Sequence, residues 1–182
     1  RELHDLGRES REVFPLSEIC AGQPYKLRLS DGDFERLEYD IDDDDQLIIR
    51  RTDEGFDVDR VAIDYRVETQ LVQGVIRSSL FATVDDIGER AELAMTLADI
   101  FAWDVNFIRD IHAGDGFKAL VEKRFRQGQP AGYGRILAAE FTNQGETFRA
   151  FLFRDGDQPA AYYDAKGNNL RKAFLKAPLA FN

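Results

Sequence analysis

The 182-residue sequence predicts an α+β protein, with a small antiparallel β-rich N-terminal domain over residues 1–68 followed by a helical hairpin packed on an antiparallel sheet over residues 69–182. Three observations lead there. Aromatic and β-branched residues alternate with charged ones in short runs bounded by Gly and Asp, which is the period of half-buried strands. A single stretch, residues 78–103, changes to helical period. Formal charge also falls in blocks, net −9 over residues 1–67, −6 over 68–116 and +5 over 117–182. Such asymmetry separates an acidic first unit from a second one that ends in a basic segment.

In the first domain a short helix near Leu16 to Ala21 leads into four strands, Tyr25 to Ser30, Phe34 to Ile41, Gln46 to Arg51 and Phe56 to Glu68. Asp31-Gly32-Asp33 and Asp53-Glu54-Gly55 make the hairpin turns, because Gly and Asp tolerate positive φ. The second domain opens with a strand, Thr69 to Arg77. Ser78 or Ser79 then caps a short helix ending at Gly88. Glu89 to Trp103 forms the second helix, since Leu93, Leu97, Ile100 and Phe101 fall at i, i+4, i+7 and i+8. Strands return at Phe117 to Arg126, Gly134 to Asn143, Glu146 to Arg154 and Ala160 to Tyr163. Gln127-Gly128-Gln129-Pro130, Asn143-Gln144-Gly145 and Asp155-Gly156-Asp157 are each short enough to be hairpin connections. No Pro-rich or Ser-rich linker separates the units, so they are expected to abut.

Composition removes several classes of function. With 43% hydrophobic residues the chain is too apolar for a disordered tail. Its one cysteine, Cys20, excludes an internal disulfide framework and any Cys-rich zinc module. No apolar stretch approaches the roughly 18 residues that span a bilayer. Arg1-Glu2-Leu3-His4-Asp5 is neither an initiator methionine nor a signal peptide, so a mature or excised piece is expected. A net charge of −10 argues against nucleic acid as the main partner, because phosphate binding needs an excess of Lys and Arg facing the ligand.

Tested for chemistry, the residues supply no catalytic set. His4 and His112 are the only histidines, and neither sits in an HxxxD, HxH or HExxH arrangement that would bring ligands onto zinc. His112, in Asp110-Ile111-His112-Ala113-Gly114-Asp115, reads as a turn residue, and Asp115-Gly116 as turn chemistry. The acidic run Asp40 to Asp45 lacks the Gly at position six and Glu at position twelve of an EF-hand loop, and reads as a solvated hairpin loop. Cys20 has no base nearby, Ser78-Ser79 lacks the GxSxG elbow, and Gly132-Tyr133-Gly134 is not followed by a helix. Asp99 and Asp104 flank Trp103 at a helix end, where capping is their expected role. Catalytic, cofactor-binding and metal-ligating residues are therefore expected to be absent from residues 1–182. Tyr133, Arg135, Phe148, Arg149, Tyr162, Tyr163, Arg171 and Lys172 interleave aromatic and basic groups. That pattern suits an anionic, sugar-containing or protein surface, but core aromatics with solvated cations are the reading favoured, because half the residues of any sheet face inward.

The run Leu97-Ala98-Asp99-Ile100-Phe101-Ala102-Trp103-Asp104-Val105-Asn106-Phe107, with Asp110-Ile111 and Gly114-Asp115, is followed by Gly132-Tyr133-Gly134-Arg135-Ile136-Leu137-Ala138-Ala139-Glu140-Phe141. With Tyr162-Tyr163-Asp164 and Leu170-Arg171-Lys172-Ala173-Phe174-Leu175-Lys176-Ala177-Pro178, this order resembles the region preceding the catalytic domain of lysostaphin-type (LytM-type) zinc metallopeptidases, the murein DD-endopeptidases of the Gram-negative envelope. The likeness covers residues 69–182, and residues 11–68 are similar to that family's more variable, LysM-neighbouring N-terminal domain. In the family the zinc ligands come from HxxxD and HxH motifs downstream, so the resemblance implies zinc in a peptidase domain beyond Asn182 and none here. It further implies a regulatory and positioning region in the periplasm, tethered to the inner membrane by a segment outside this sequence. Its own C-terminal peptidase domain and peptidoglycan are the implied partners, and the first domain is expected to be autoinhibitory. The alternative reading is a free-standing envelope module that recognises peptidoglycan or activates another hydrolase.

Overall fold

The structure, a computed structural model, describes residues 2–171, with side chains from Leu6 onward. Lys172 and the remainder of the basic stretch after Arg171 lie outside the described residues, as does the His4 side chain. The fold is α+β and consists of two compact units, Arg1–Asp64 and Tyr65–Asn182.

The first unit is an antiparallel meander of four strands, β1 (Tyr25–Ser30), β2 (Asp33–Asp40), β3 (Asp45–Thr52) and β4 (Gly55–Ala62), paired in sequence order. Asp31 and Gly32 both take positive φ, 52° and 90°, the conformation a two-residue hairpin turn requires. Residues 2–9, to which the sequence reading assigns no element, form helix α1 (Glu2–Glu9). It is held to the sheet where the Glu9 carboxylate accepts from Phe56 N–H at 3.1 Å. Leu6, Phe14, Tyr39, Leu47 and Ile49 are the buried core. The helix expected over Leu16 to Ala21 is only a single 3₁₀ turn, Leu16–Glu18.

The strand expected over Phe56 to Glu68 is two strands belonging to different sheets. Ile63 N–H donates to Asp44 carbonyl at 2.7 Å and closes the first sheet, while Tyr65 lies under the Arg124 guanidinium at 5.2 Å in the second unit. Both sides of this break are extended and β-rich, so composition gives no sign of it. The boundary accordingly falls at Asp64/Tyr65, where residues 68/69 were expected.

The second unit is a five-stranded antiparallel meander, β5 (Arg66–Val75), β6 (Gly116–Arg126), β7 (Gln129–Asn143), β8 (Glu146–Phe153) and β9 (Ala161–Tyr163). Helices α2 (Leu80–Asp86) and α3 (Ala91–Phe101) are inserted between β5 and β6. Ser79 is the cap of α2, its hydroxyl accepting from Ala82 N–H at 3.1 Å, and Gly88 ends the turn at φ +77°. Leu93, Leu97, Ile100 and Phe101 of α3 are buried against Val72, Phe117, Val121, Ile136 and Phe141 of the sheet. Each such side chain contributes roughly 1.5–3 kcal/mol by leaving water. Gln127-Gly128 and Gln144-Gly145 both place two consecutive residues at positive φ, so these two hairpins have tight two-residue turns.

Close approach of α2 to β5 depends on Gly74. A Cβ there would stand 2.6 Å from Thr83 Cγ2 and 3.0 Å from Phe117 Cε1. Thr83 is buried and β-branched and cannot rotate away freely. Gly74→Ala is expected to cost about 1–3 kcal/mol through overpacking, checked by urea denaturation; an unchanged midpoint would show that α2 can shift at no cost.

Candidate functional site

The aromatic and basic residues of the C-terminal sheet are brought together, but they are spent on the unit itself. The Tyr133 hydroxyl accepts from Arg90 N–H at 2.8 Å and donates to the Glu89 carboxylate at 2.7 Å, and Glu89 also pairs with the Lys123 ammonium. Burial, with the neighbouring Glu89 charge, pushes the Tyr133 phenol up to about 12, although Arg90 N–H opposes the shift. This knot clamps the start of α3 to β6 and β7. Arg135 grips both oxygens of Glu122 at 2.8 and 3.0 Å, and its backbone N–H donates to the same carboxylate. Arg135 thereby holds the Glu122 carboxyl below its ordinary range, against the opposing effect of burial. A Cβ at Gly134 would stand 2.9 Å from Glu122 Oε2 and 3.0 Å from Glu122 Cβ, so a side chain there would crowd the carboxylate that Arg135 holds. Gly132-Tyr133-Gly134 is thus an irregular stretch of β7, paired with β6 across register shifts.

Arg149 pairs with Glu140 at 2.8 Å, the Tyr162 hydroxyl donates to Ile136 carbonyl at 3.0 Å, and Tyr163 meets Phe153 edge-on. Tyr133, Tyr162 and Tyr163 are all half-buried. Of the two alternatives for this pattern, the geometry favours a sheet bound to itself, with Arg171 exposed at its margin.

Asp115 has more than the turn role its sequence suggests. Its carboxylate is buried and accepts from His112 N–H at 2.7 Å, Asn143 Nδ2 at 2.8 Å and Gln144 N–H at 2.7 Å. Burial raises its pKa, but the Gln144 and His112 N–H groups and the Asn143 amide outweigh it and hold the carboxyl below its ordinary range. The knot fastens the loop after α3 to the β7–β8 turn. Its signal in the sequence is slight, an Asp-Gly pair far from Asn143-Gln144.

The residues tested for chemistry do not converge. His112 is exposed, its Nδ1 2.9 Å from Asp110 carbonyl, and no group of three or more His, Cys, Asp or Glu among the described residues is placed to hold a metal ion. The described residues therefore do not fit zinc. Within the acidic run, Asp42 accepts from Asp44 and Asp45 N–H, which hold its carboxyl low, and Arg60 bridges to Asp45 at 2.6 Å. Cys20 is an exposed free thiol whose N–H donates to the Tyr39 hydroxyl. Asp99 is exposed on α3.

Two surfaces remain. A cleft of about 950 Å³ lies between α2 and the β5–β6 end of the sheet, lined among others by Arg77, Asp86, Lys118, Glu140 and Thr142. Its mixed charges suit a polar, peptide-like group and supply no nucleophile and base in contact. The second surface is the sheet face away from the helices. There Leu71, Leu120, Ala138, Phe151 and Tyr163 pair in turn across all five strands and form one apolar row. Leu71 is 65% exposed and Phe151 43%. Alternating Val67, Leu71 and Val75 is the signal that sequence reading passed over.

The matching family model is described as the Csd3 second domain, and it spans residues 65–182. Peptidoglycan DD-endopeptidase ShyC of Vibrio cholerae is 30% identical over 177 residues, 97% of this chain and 39% of its own length. ShyB of the same organism is 27% identical over 166 residues, 90% of this chain and 38% of its own. The chain thus spans about two-fifths of the length of these curated relatives. Among solved structures, a zinc containing peptidase from Vibrio cholerae matches with a TM-score of 0.67 at 24% identity, over 94% of this chain and 52% of that one. Helicobacter pylori Csd3 matches with a TM-score of 0.67 at 20% identity, over 81% and 40%. These likenesses show the fold. The matched stretch begins at Tyr65, where the five-stranded unit with its helical hairpin begins, and the chain belongs to the Csd3 second-domain family.

Proposed function

We propose that this chain is the non-catalytic region of a peptidoglycan DD-endopeptidase of the Gram-negative periplasm, and that it restrains and positions the enzyme's peptidase part. The observation carrying this reading is the alignment of nearly the whole chain with two-fifths of ShyC, a relative named for that activity. Zinc and the hydrolytic step belong in this reading to the remaining part, which also accounts for a chain with two histidines. The acidic first unit is the candidate restraint, because clustered carboxylates are attracted to a metal-bearing cleft. Its attachment to the membrane is assigned to a segment outside this sequence.

The test uses the full-length gene product loaded with zinc, with and without residues 1–64, and reads the release of muropeptides from purified sacculi. Removal of the acidic unit is expected to raise turnover several-fold. Unchanged turnover would rule out restraint, and strong binding of sacculi by residues 1–182 alone would favour the envelope-module reading.

A further inference from the structure

β5 is the edge of its sheet, and it is built inside out. Its side chains at Glu68, Gln70, Val72 and Gly74 face the helices, whereas those at Val67, Thr69, Leu71, Gln73 and Val75 face the open side. Val67, Leu71 and Val75 are 51%, 65% and 69% exposed. Alternation in a solvated strand normally sends the apolar set inward. Here a mostly apolar set points outward.

Among the described residues the backbone of the same five is also without a hydrogen-bond partner. Ile76 N–H donates to Asp115 carbonyl, and Gly114 N–H donates to Ile76 carbonyl, so the groups of Ile76 point toward the β6 side. Backbone direction alternates along a strand, and β5 pairs with β6 without a register shift from Arg66 to Val75. The N–H and C=O groups of Val67, Thr69, Leu71, Gln73 and Val75 therefore point away from β6, at the free edge. No backbone partner meets them among the described residues. Val67–Val75 contains no proline and no bulge, and its one charge, Glu68, lies on the helix side rather than among the five outward-facing residues. Beside Gln73, Gly74 and Val75 the space is open cleft.

The order of these residues selects the occupant. Read from either end about Leu71, Val67, Thr69, Leu71, Gln73 and Val75 give apolar, polar, apolar, polar, apolar. We infer that β5 pairs antiparallel with β5 of a second copy of this chain, about a two-fold axis at Leu71. Val67 then meets Val75 of the other copy, Thr69 meets Gln73, and Leu71 meets itself. On the helix side Glu68 falls opposite Gly74 and Gln70 opposite Val72, so no like charges are opposed. A two-fold contact uses one patch twice and closes without growing into a filament. About ten backbone hydrogen bonds would form, two per facing pair with edge groups aimed across. The apolar row through Leu120, Ala138, Phe151 and Tyr163 then runs unbroken across ten strands. This inference does not depend on the proposed enzymatic context.

Sedimentation equilibrium of the 182-residue chain tests it. The mass is expected to rise with concentration from 20.8 kDa to twice that value. Leu71→Lys sets two cations face to face at the axis and is expected to return the chain to monomer, as is Leu71→Glu. An equimolar mixture of the two variants is expected to recover the dimer mass, because only at a two-fold axis does residue 71 face its own counterpart. Gln73→Pro removes an N–H that points away from β6, and is expected to weaken association at least tenfold with unchanged far-UV circular dichroism. A chain monomeric at millimolar concentration, a dimer indifferent to both charges at position 71, or a mixture that stays monomeric would each overturn the proposal.

Discussion

Phe141→Ala is expected to destabilise the second unit by about 3–5 kcal/mol, the range for emptying a buried aromatic site. Phe141 is fully buried on β7, with the rings of Phe107 and Phe101 at 5.0 and 5.9 Å. One of these rings belongs to α3 and the other to the loop after it, so the cavity would open where helix, loop and sheet meet. Neighbouring side chains are held by their own packing and can fill the space only in part. For a unit of this size the loss corresponds to a fall in Tm of about 10–20 °C, read from the thermal transition of the second unit. A change below about 1 kcal/mol would show that the Phe101 and Phe107 rings collapse onto the site.

Asp115→Ala comes next, at about 3 kcal/mol or more, because three donors lose their acceptor at once. The His112 and Gln144 N–H groups and the Asn143 amide all point at one buried carboxylate, and a methyl group accepts from none of them. The effect has a pH signature. Asp115 has its pKa lowered in the folded state, so its ionised form contributes stability above the unfolded value of about 3.9, and that contribution is lost as pH falls through the folded pKa. Asp115→Asn keeps the shape but turns an NH₂ toward one of the donors and cannot ionise. Urea midpoints of the two proteins should therefore lie apart at pH 7 and converge as pH falls below about 3.9. A constant gap across that range would mean that the carboxylate charge is not what the knot requires.

Much of the local structure was legible because local chemistry decides it. Asp31-Gly32, Gln127-Gly128 and Gln144-Gly145 mark hairpins, since few residues accept the positive φ that such turns need. Leu93, Leu97, Ile100 and Phe101 mark α3, and Ser79 its preceding helix, because a 3.6-residue period and a capping hydroxyl are properties of short stretches. Legibility failed where a choice depended on distant residues. β4 ends at Ala62 and β5 begins at Arg66, and only their pairing with the distant β3 and β6, with Ile63 held to Asp44 and Tyr65 under Arg124, shows that the two halves belong to different sheets. Helix α1 was missed because it is short and carries only two large apolar residues, Leu3 and Leu6, among charged ones, and its tie to the sheet runs through the distant Phe56 N–H.

The candidate surfaces divide in the same way. Interleaved Tyr and Arg suggested a site, but strand pairing brings Glu122 to Arg135 and Glu140 to Arg149, the turn before α3 brings Glu89 to Tyr133 and Lys123, and these groups are engaged with one another. By itself the sequence determined the two-part α+β plan, the hairpins, the helical pair and the resemblance in its ordered motifs, since each is written in residues close together or in their order. Tertiary structure decided which carboxylate meets which donor, and that the apolar set of β5 faces outward. Alternation fixes which residues share a face of a strand, but only the packing of α2 and α3 settles which face is the inner one.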